Sequence, residues 1–317
     1  MRQAVGDPGG GRKRLWWRAV LVALVAGIIA RAVTVEPRPP KEYLMCRPVV
    51  IAHQGASGYA PSNTMEAFRK ALEQGADILE IDVHLTRDNI VVVSHDETID
   101  RMSNGSGYIK DMTLAELRQY DFGYDFTPDG GKTFPYRGKG VRIPTLEELF
   151  QAWPDLPVNI ELKQTDPPME AQVWELIQRY QMEEKVLVVS FHGENMRRWR
   201  ALAGERVAMA PPVDHMYSFV GLYLPYLHWL YNPIYDAFQV PRSQRAGPIK
   251  VRFDSERFIN LAHRLNMAVH YWTINEEVEM RELYGRGADG VMTDYPDRAV
   301  KVLQEMDLWE IPCRRGR

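Results

Sequence analysis

The chain has 317 residues, of which 45% are hydrophobic and 26% charged, and its formal net charge is −3. This composition is typical of a globular protein and excludes the disordered and fibrous classes. The charge, with no basic stripe in the globular part, gives no reason to expect a nucleic-acid partner.

The first 48 residues differ in composition from the rest of the chain. A Gly-rich basic stretch at residues 1–18 precedes a wholly apolar run at residues 19–30. The run is shorter than the roughly 20 residues of a spanning helix, and it fits a signal peptide cleaved near Ala30-Arg31-Ala32. Extended over residues 19–35, with arginines at both ends, it also fits an uncleaved membrane anchor. Both interpretations predict an exported main domain, either membrane-anchored or secreted, behind a Pro-rich linker.

Two cysteines, Cys46 and Cys313, flank the globular part. An exported protein with an even number of cysteines permits a disulfide bond. A closed barrel would bring the chain ends together, which favours pairing, although two unpaired thiols stay an alternative.

From residue 49 onward, short β-branched runs alternate with helical patterns. The predicted strands are Val49–His53, Ile78–His84, Ile90–His95, Val158–Lys163, Val186–Phe191, Arg206–Ala210, Ile249–Phe253, Ala268–Ile274 and Gly290–Thr293. The predicted helices are Thr64–Gln74, Thr113–Arg118, Leu146–Ala152, Met169–Tyr180, Asn195–Ala203, Glu256–Leu265, Glu277–Gly285 and Asp297–Glu305. The βα alternation indicates a parallel sheet covered by helices.

Only five residues separate His84 from Ile90, so this pair of strands must be an antiparallel hairpin. Removing the second strand of the hairpin leaves eight parallel strands, which predicts an α/β protein with a (β/α)₈ TIM barrel over residues 49–306. A doubly wound open sheet is the alternative, but no G-x-G-x-x-G follows the first strand. Residues 90–143 are expected to form an inserted subdomain after strand 2, and residues 307–317 a C-terminal tail.

Polar side chains occur where apolar strands end. Glu80 and Asp82 share one face of their strand, and Glu161 and Lys163 share one face of theirs. Buried carboxylates repel one another unless a positive charge compensates them. Three carboxylates without a thiol predict a site for a hard divalent metal, Ca²⁺ or Mg²⁺. The alternative is a salt-bridge network with Lys163.

Two histidines also lie at strand ends. His53 ends the first strand, and His95 ends the hairpin beside Asp96. Imidazole titrates near neutral pH, so one histidine can accept a proton from a nucleophile and the other can donate one to a leaving group. With a metal and Lys163 to neutralise phosphate oxygens, this set predicts phosphate-ester hydrolysis. A structural role is the alternative for each histidine taken alone.

Six separated blocks carry a family resemblance: HQGASGYAPSNTMEAF, GADILEIDVHLTRDNIVVVSHDETIDR, PTLEEL, NIELK, VHYWTIN and DGVMTDYP. In order and spacing they resemble the glycerophosphodiester phosphodiesterases, over residues 49–303. The resemblance implies a (β/α)₈ barrel with an insertion after strand 2. It also implies metal-dependent hydrolysis of glycerophosphodiesters to glycerol 3-phosphate and an alcohol.

Matched position by position, the resemblance assigns His53 and His95 as the acid–base pair. It assigns Glu80, Asp82 and Glu161 as metal ligands. Lys163 contacts the phosphate, Trp272 lines the pocket, and Asn63 either caps the first helix or orders the metal site.

The sequence departs from the family pattern at two positions. The family has arginine after the first histidine, where this chain has Gln54, which can hydrogen-bond a phosphate oxygen but brings no charge. Weaker phosphate binding or a shifted substrate preference is therefore expected. Ser62 replaces a glutamate, so the metal site would lack an outer carboxylate. His84 is given an orienting or surface role, and Asp289 and Asp294 are interpreted as turn and capping residues.

Residues 218–241 are dense in Tyr, Leu and Trp and interrupted by Pro225 and Pro233. On the catalytic face such a segment would hold an acyl chain or rest on a bilayer; packing against the barrel is the alternative. Three functions stay open: hydrolysis of glycerophosphodiesters or lysophospholipids, a lipid phosphodiesterase that forms a cyclic phosphate, and a catalytically weak surface binding protein. Retention of both histidines, the three carboxylates and Lys163 favours the first.

Overall fold

The computed structural model describes residues 48–247 and 249–310, together with residues 15–23, 26, 27, 39, 41, 44 and 46. The strands are β1 (Val49–His53), β2 (Ile78–Leu85), β3 (Val91–Val93), β4 (Val158–Leu162), β5 (Val186–Val189), β6 (Ala208–Met209), β7 (Ala237–Val240), β8 (Ser243–Ala246), β9 (Ile249–Arg252), β10 (Ala268–Tyr271) and β11 (Gly290–Thr293). Most of them lie at or within one or two residues of a predicted strand.

The helices of the globular part are α1 (Met65–Glu73), α2 (Leu114–Leu117), α3 (Leu146–Ala152), α4 (Glu170–Arg179), α5 (Gly193–Ala203), α6 (Val213–Tyr223), α7 (Glu256–Arg264), α8 (Glu277–Gly285) and α9 (Pro296–Glu305). Short 3₁₀ turns lie at Ile109–Asp111 and His228–Leu230. Each helix that was predicted is present, and α6 was not predicted.

Eight of the described strands form a parallel barrel in the order β6-β5-β4-β2-β1-β11-β10-β7. The two ends of this order meet where the backbone N–H of Asp236 donates to the carbonyl of Met209 at 2.8 Å. The Asp236 carboxylate in turn accepts from the Met209 N–H at 2.9 Å. The predicted (β/α)₈ barrel is therefore confirmed, and an open sheet is excluded. β3 pairs antiparallel with β2, as the short connection required.

The barrel forms because its strands are buried on both faces and its helices are apolar on one. β2 and β4 are buried at every residue. α1 begins at Thr64, whose hydroxyl accepts from the Ala67 N–H, and it turns Ala67, Phe68 and Ala71 toward the sheet. The carboxyl ends of all eight parallel strands consequently point to one rim.

The prediction of the seventh barrel strand was wrong. Ile249–Phe253 was expected there, but β9 pairs antiparallel with β8 in a hairpin outside the barrel. The seventh barrel strand is β7, which pairs parallel with β10. β7 lies inside the aromatic segment 218–241, where its pairing with β10, rather than a β-branched run of its own, fixes it as a strand.

The aromatic segment is partly packed and partly exposed. Phe219 of α6 contacts Phe238 and Phe258 with ring centroids 4.7 and 5.9 Å apart. These contacts anchor the inner side of α6 to the barrel. Tyr226 remains 65% exposed, and Tyr217, directly before the segment, is 55% exposed. The packing interpretation therefore holds for Phe219, and the lipid interpretation of the exposed residues stays a prediction.

The inserted subdomain has a small core of its own. β3 is followed by loops, a 3₁₀ turn and α2 before α3 resumes the barrel. Its buried apolar residues are Val92, Ile99, Met102, Ile109, Leu117, Phe122, Val141 and Ile143. The insertion leaves the barrel from the same rim at which His95 lies.

Much of the predicted membrane segment lies outside the described residues, as do Cys313 and the tail from residue 311. Within the described part of the chain, no helix is both long and apolar enough to cross a membrane. The Cys46–Cys313 pairing and the choice between anchor and signal peptide stay predictions.

Candidate active site

A cavity of about 470 Å³ opens at the carboxyl ends of the barrel strands. Seven of the eight predicted site residues line it: His53, Glu80, Asp82, His95, Glu161, Lys163 and Trp272. They come from β1, β2 and β4 and from the residues that follow β3, β4 and β10. Neighbouring strands hold them in register, since His53 pairs with Glu80 and Asp82 with Glu161.

Three carboxylates meet at the base of the cavity. Oxygens of Glu80, Asp82 and Glu161 all lie within 4.8 Å of one another. Burial, together with the charge of Asp82, raises the pKa of Glu80 to about 8 and that of Glu161 to about 7. Three buried carboxylates at this spacing need positive charge to stay ionised together. Their all-oxygen donor set fits a Mg²⁺ or Ca²⁺ ion.

Lys163 supplies part of that positive charge. Its Nζ lies 3.2 Å from Asp82 Oδ1 and 3.2 Å from Glu161 Oε1. Burial opposes protonation of Lys163, but the two carboxylates outweigh it and raise its pKa. The predicted salt-bridge network therefore exists. Among the described ion pairs Lys163 makes none with Glu80, so this cation neutralises two of the three carboxylates directly.

His53 is held by a carboxylate that the sequence interpretation placed elsewhere. Its Nδ1–H donates to Asp294 Oδ1 at 2.8 Å, which directs Nε2 away from that bond. Burial disfavours the imidazolium, but the Asp294 hydrogen bond and the charges of Glu80 and Asp82 raise the His53 pKa to about 9. Ser57 and Asn275 also donate to Asp294, at 2.7 Å each. The assignment of Asp294 to turn and capping chemistry was incomplete, because it orients His53.

Asp289, on the other side of β11, does not join the site. Its carboxylate accepts from His263 Nε2 at 2.7 Å and from the Val269 N–H at 2.8 Å. Neither partner lines the cavity. The structural interpretation of Asp289 therefore agrees with its contacts.

His95, at the mouth of the cavity, is also held by a carboxylate through its Nδ1. Its Nδ1–H donates to Asp96 Oδ1 at 2.7 Å. Arg101 clamps the same carboxylate with two hydrogen bonds of 2.7 and 3.0 Å and lowers the Asp96 pKa to about 2. His84 is buried, not on the surface, and its Nε2 lies 3.3 Å from the His95 carbonyl oxygen. His84 thus supports the loop that carries His95.

Asn63 orders the carboxylate cluster and does not cap the helix. Its Nδ2 donates to Asp82 Oδ2 at 2.9 Å, and Thr64 is the N-cap of α1. Gln54 is 7% exposed and donates its backbone N–H to Glu80 Oε2 at 3.0 Å. Gln54 lies beside the cluster but is absent from the cavity lining. Its contact with a phosphate stays a prediction.

The rest of the cavity is mostly apolar. Trp272 packs edge-on against Phe191, with ring centroids 5.8 Å apart. Beyond them an apolar arm extends between α6 and the β8–β9 hairpin, lined by Val213, Met216, Tyr217, Val220, Val251 and Phe253. The cavity therefore joins a charged end to an apolar end.

The sequence profile of the glycerophosphoryl diester phosphodiesterase family matches residues 53–298. The chain belongs to this family. It is accordingly a phosphoric diester hydrolase by family.

Curated and solved members of the family resemble the chain over most of its length. A glycerophosphodiester phosphodiesterase of Caldanaerobacter subterraneus is 32% identical over 81% of this chain and 98% of its own length. A human lysophospholipase D is 31% identical over 78% of this chain and 83% of its own. A phosphodiesterase of Oleispira antarctica, solved with the product sn-glycerol-3-phosphate, is 26% identical with a TM-score of 0.61, covering 81% of this chain and 97% of its own.

Proposed function

We propose that the protein hydrolyses glycerophosphodiesters to glycerol 3-phosphate and an alcohol, with a divalent metal and a histidine pair. The observation that carries this proposal is the convergence of three carboxylates, Lys163 and two histidine–aspartate pairs on one cavity. The family membership and the product complex of the Oleispira relative support the substrate class.

Glu80, Asp82 and Glu161 would hold the metal. A bound Ca²⁺ or Mg²⁺ would neutralise the negative charge of the phosphodiester and the further negative charge that develops on its phosphoryl group during the reaction. Asn63 holds Oδ2 of Asp82, whose Oδ1 contacts Lys163, and the Gln54 N–H holds Oε2 of Glu80. These contacts would orient both carboxylates toward the metal.

Lys163 and the histidines perform the remaining tasks. Lys163 faces the cavity, where its ammonium can contact an equatorial phosphate oxygen. His53 and His95 each bind a carboxylate through Nδ1, so each presents Nε2 for proton transfer. One accepts the proton of the attacking water, and the other donates a proton to the departing alkoxide.

Hydrolysis of glycerophosphocholine tests this function. The full chain is incubated with Ca²⁺, with Mg²⁺ or with EDTA, and glycerol 3-phosphate is measured. We expect turnover with at least one metal, loss of turnover with EDTA, and at least ~10³-fold loss in His53→Ala. Full activity of His53→Ala, with a circular dichroism spectrum like that of the native chain, would refute the acid–base assignment.

The apolar arm favours lysophospholipids as a second substrate class. The human relative is named a lysophospholipase D, and an arm lined by Val220, Val251 and Phe253 suits an acyl chain. Val251→Thr places a hydroxyl in that arm without changing its shape. We expect about tenfold lower kcat/KM for lysophosphatidylcholine, with unchanged kcat/KM for glycerophosphocholine. Equal effects on both substrates would exclude the arm from acyl binding.

We also propose that the N-terminal segment brings the enzyme to a membrane and that the catalytic domain lies outside the cytoplasm. The basic stretch before an apolar run supports this orientation. Deletion of residues 1–48 should move the protein from the carbonate-resistant membrane fraction to the soluble fraction if the segment is retained as an anchor. Recovery of a mature chain that begins near residue 31 would instead support a cleaved signal and a secreted enzyme.

A further inference from the structure

Exposed apolar side chains surround the outer end of the cavity. We call this set the rim patch: Val213, Tyr217, Leu224, Tyr226, Leu227 and Ile249, each at least 37% exposed. It contains two of the most exposed large side chains of the barrel. A surface of this kind marks an interaction site more often than a solvated face.

The rim patch is continuous with the apolar arm of the cavity. Val213, Tyr217, Val220 and Leu224 lie four, three and four residues apart, so they form one stripe along α6. The first three line the cavity, and Leu224 carries the stripe onto the surface. On the hairpin, Ile249 shares a strand face with the cavity residue Val251.

The contacts of Arg257 show at which end of the barrel the rim patch lies. This residue lies in the first turn of α7, hence toward the rim that carries the cavity. Its guanidinium lies over the Tyr226 ring at 3.6 Å and donates to the Tyr223 carbonyl at 2.6 Å. Tyr226 therefore projects beside the mouth of the cavity and not at the opposite end of the barrel.

The β8–β9 hairpin brings positive charge to the patch. Residues 218–235 contain no Asp, Glu, Lys or Arg, and the hairpin contains Arg245, Lys250 and Arg252 but no acidic residue. Arg252 is paired with Asp254 at 3.0 Å, so Arg245 and Lys250 carry this charge. Arg245 and Lys250 are exposed and pair across the hairpin. Asp214, the acidic residue of α6, lies 3.8 Å from Arg197 and is partly neutralised by it. Tyrosine rings bordered by lysine and arginine suit the headgroup region of an anionic bilayer.

We propose that the rim patch docks on the surface of an anionic phospholipid bilayer. Docking there would place the apolar arm against the acyl region, so an amphiphilic substrate could enter the cavity without crossing water. This surface is separate from the N-terminal segment, and its binding does not require turnover.

Hydrogen–deuterium exchange of the full chain tests the docking, because it resolves the patch from the N-terminal segment. Exchange is measured alone, with phosphatidylcholine vesicles and with vesicles that also contain phosphatidylglycerol. We expect slower exchange in residues 221–231 and 243–252 with vesicles, more strongly with the anionic ones. Residues 199–205, at the opposite end of the barrel, should not change.

Matched variants sharpen the test. Leu224→Ser should raise the lipid concentration for half-maximal protection by roughly tenfold. Leu202→Ser is the control, because Leu202 is similarly exposed, 41% against 37%, but ends α5 at the far end of the barrel. Tyr226→Asn serves as a second variant, since asparagine tolerates the φ of +64° at that position.

Three results would overturn the proposal. One is unchanged exchange in residues 221–231 with anionic vesicles. Another is protection that Leu224→Ser and Leu202→Ser alter equally. The third is protection that grows with protein concentration in the absence of lipid, which would assign the patch to a second copy of the chain. Glycerophosphocholine turnover is measured separately, so failure of docking leaves the proposed hydrolysis intact.

Discussion

Asp294→Asn is the substitution that examines the site most sharply. The change keeps the shape of the side chain but removes its charge. Asp294 Oδ1 accepts from His53 and Ser57, and Oδ2 accepts from Asn275. Because an amide has one acceptor oxygen, the variant loses a charge-assisted hydrogen bond on one side or the other.

The expected loss of kcat in Asp294→Asn follows from these contacts. If the new amide oxygen faces His53, its nitrogen meets Asn275 Nδ2, a donor opposite a donor. The side-chain amide of Asn275 cannot rotate by half a turn without losing two hydrogen bonds, since its Oδ1 accepts from Thr293 Oγ1 and from the Asp294 N–H at 3.1 and 3.0 Å. A hydrogen bond to a charged group contributes about 1.5–3 kcal/mol, equivalent to about 10- to 150-fold in rate. We expect kcat to fall by about 100-fold, with KM within about threefold of the native value.

The assay measures kcat and KM for glycerophosphocholine across pH at saturating metal. Loss of the carboxylate should also lower the pKa of His53, so the limb of the pH–rate profile that reports His53 should move to lower pH. Asp289→Asn is the matched control, because Asp289 holds His263 in the same manner outside the cavity. A native kcat and pH profile in Asp294→Asn, or equal losses in both variants, would refute the assigned role of Asp294.

Three further predictions follow from the charges of the site. Without metal, thermal stability should fall by several degrees as pH rises from 6 to 9, because Glu80, Glu161 and His53 bind protons more tightly folded than unfolded, with folded pKa values of about 8, 7 and 9. Added Ca²⁺ or Mg²⁺ should restore it in a melting assay, and a flat metal-free profile would contradict the carboxylate cluster. Lys163→Met should lower kcat/KM by about 100-fold or more, and an unchanged value would exclude phosphate contact. Gln54→Arg should lower KM by strengthening phosphate binding; an unchanged KM would show that residue 54 does not touch the phosphate.

The sequence predicted those helices and strands whose ends and apolar faces are marked by nearby residues. Leu146–Ala152 and Glu277–Gly285 were predicted at their observed bounds. Apolar spacing marks both helices, and the capping box of Thr145 and Glu148 marks the start of the first. The prediction of the seventh barrel strand failed because Ile249–Arg252 has a stronger β pattern than Ala237–Val240, the strand that occupies this place. Pattern alone cannot say which of two nearby runs pairs with β10.

Helix α6 was missed for a related reason. Its sequence follows Pro211 and Pro212, contains Gly221, and is rich in aromatic and β-branched residues with weak helix propensity. Packing of Phe219 against Phe238 and Phe258 outweighs that weak propensity. Tertiary contacts of this kind have no local signature.

The site residues were found because polar groups on buried strands are costly without a function. Glu80, Asp82 and Glu161 stood out on that ground, and the structure brings them together. Asp294 did not stand out, because an aspartate after a strand commonly caps a turn. Its partner His53 is 241 residues away, and only the closure of β1 on β11 places them together.

The proposed activity is hydrolysis of glycerophosphodiesters to glycerol 3-phosphate by the metal-loaded cavity. Phosphorus NMR of glycerophosphocholine incubated with the full chain and Ca²⁺ or Mg²⁺ tests it directly. We expect conversion to glycerol 3-phosphate, which stops with EDTA. Accumulation of a cyclic phosphate would assign the protein to the cyclising lipid phosphodiesterases, and no conversion with either metal would leave a surface binding protein.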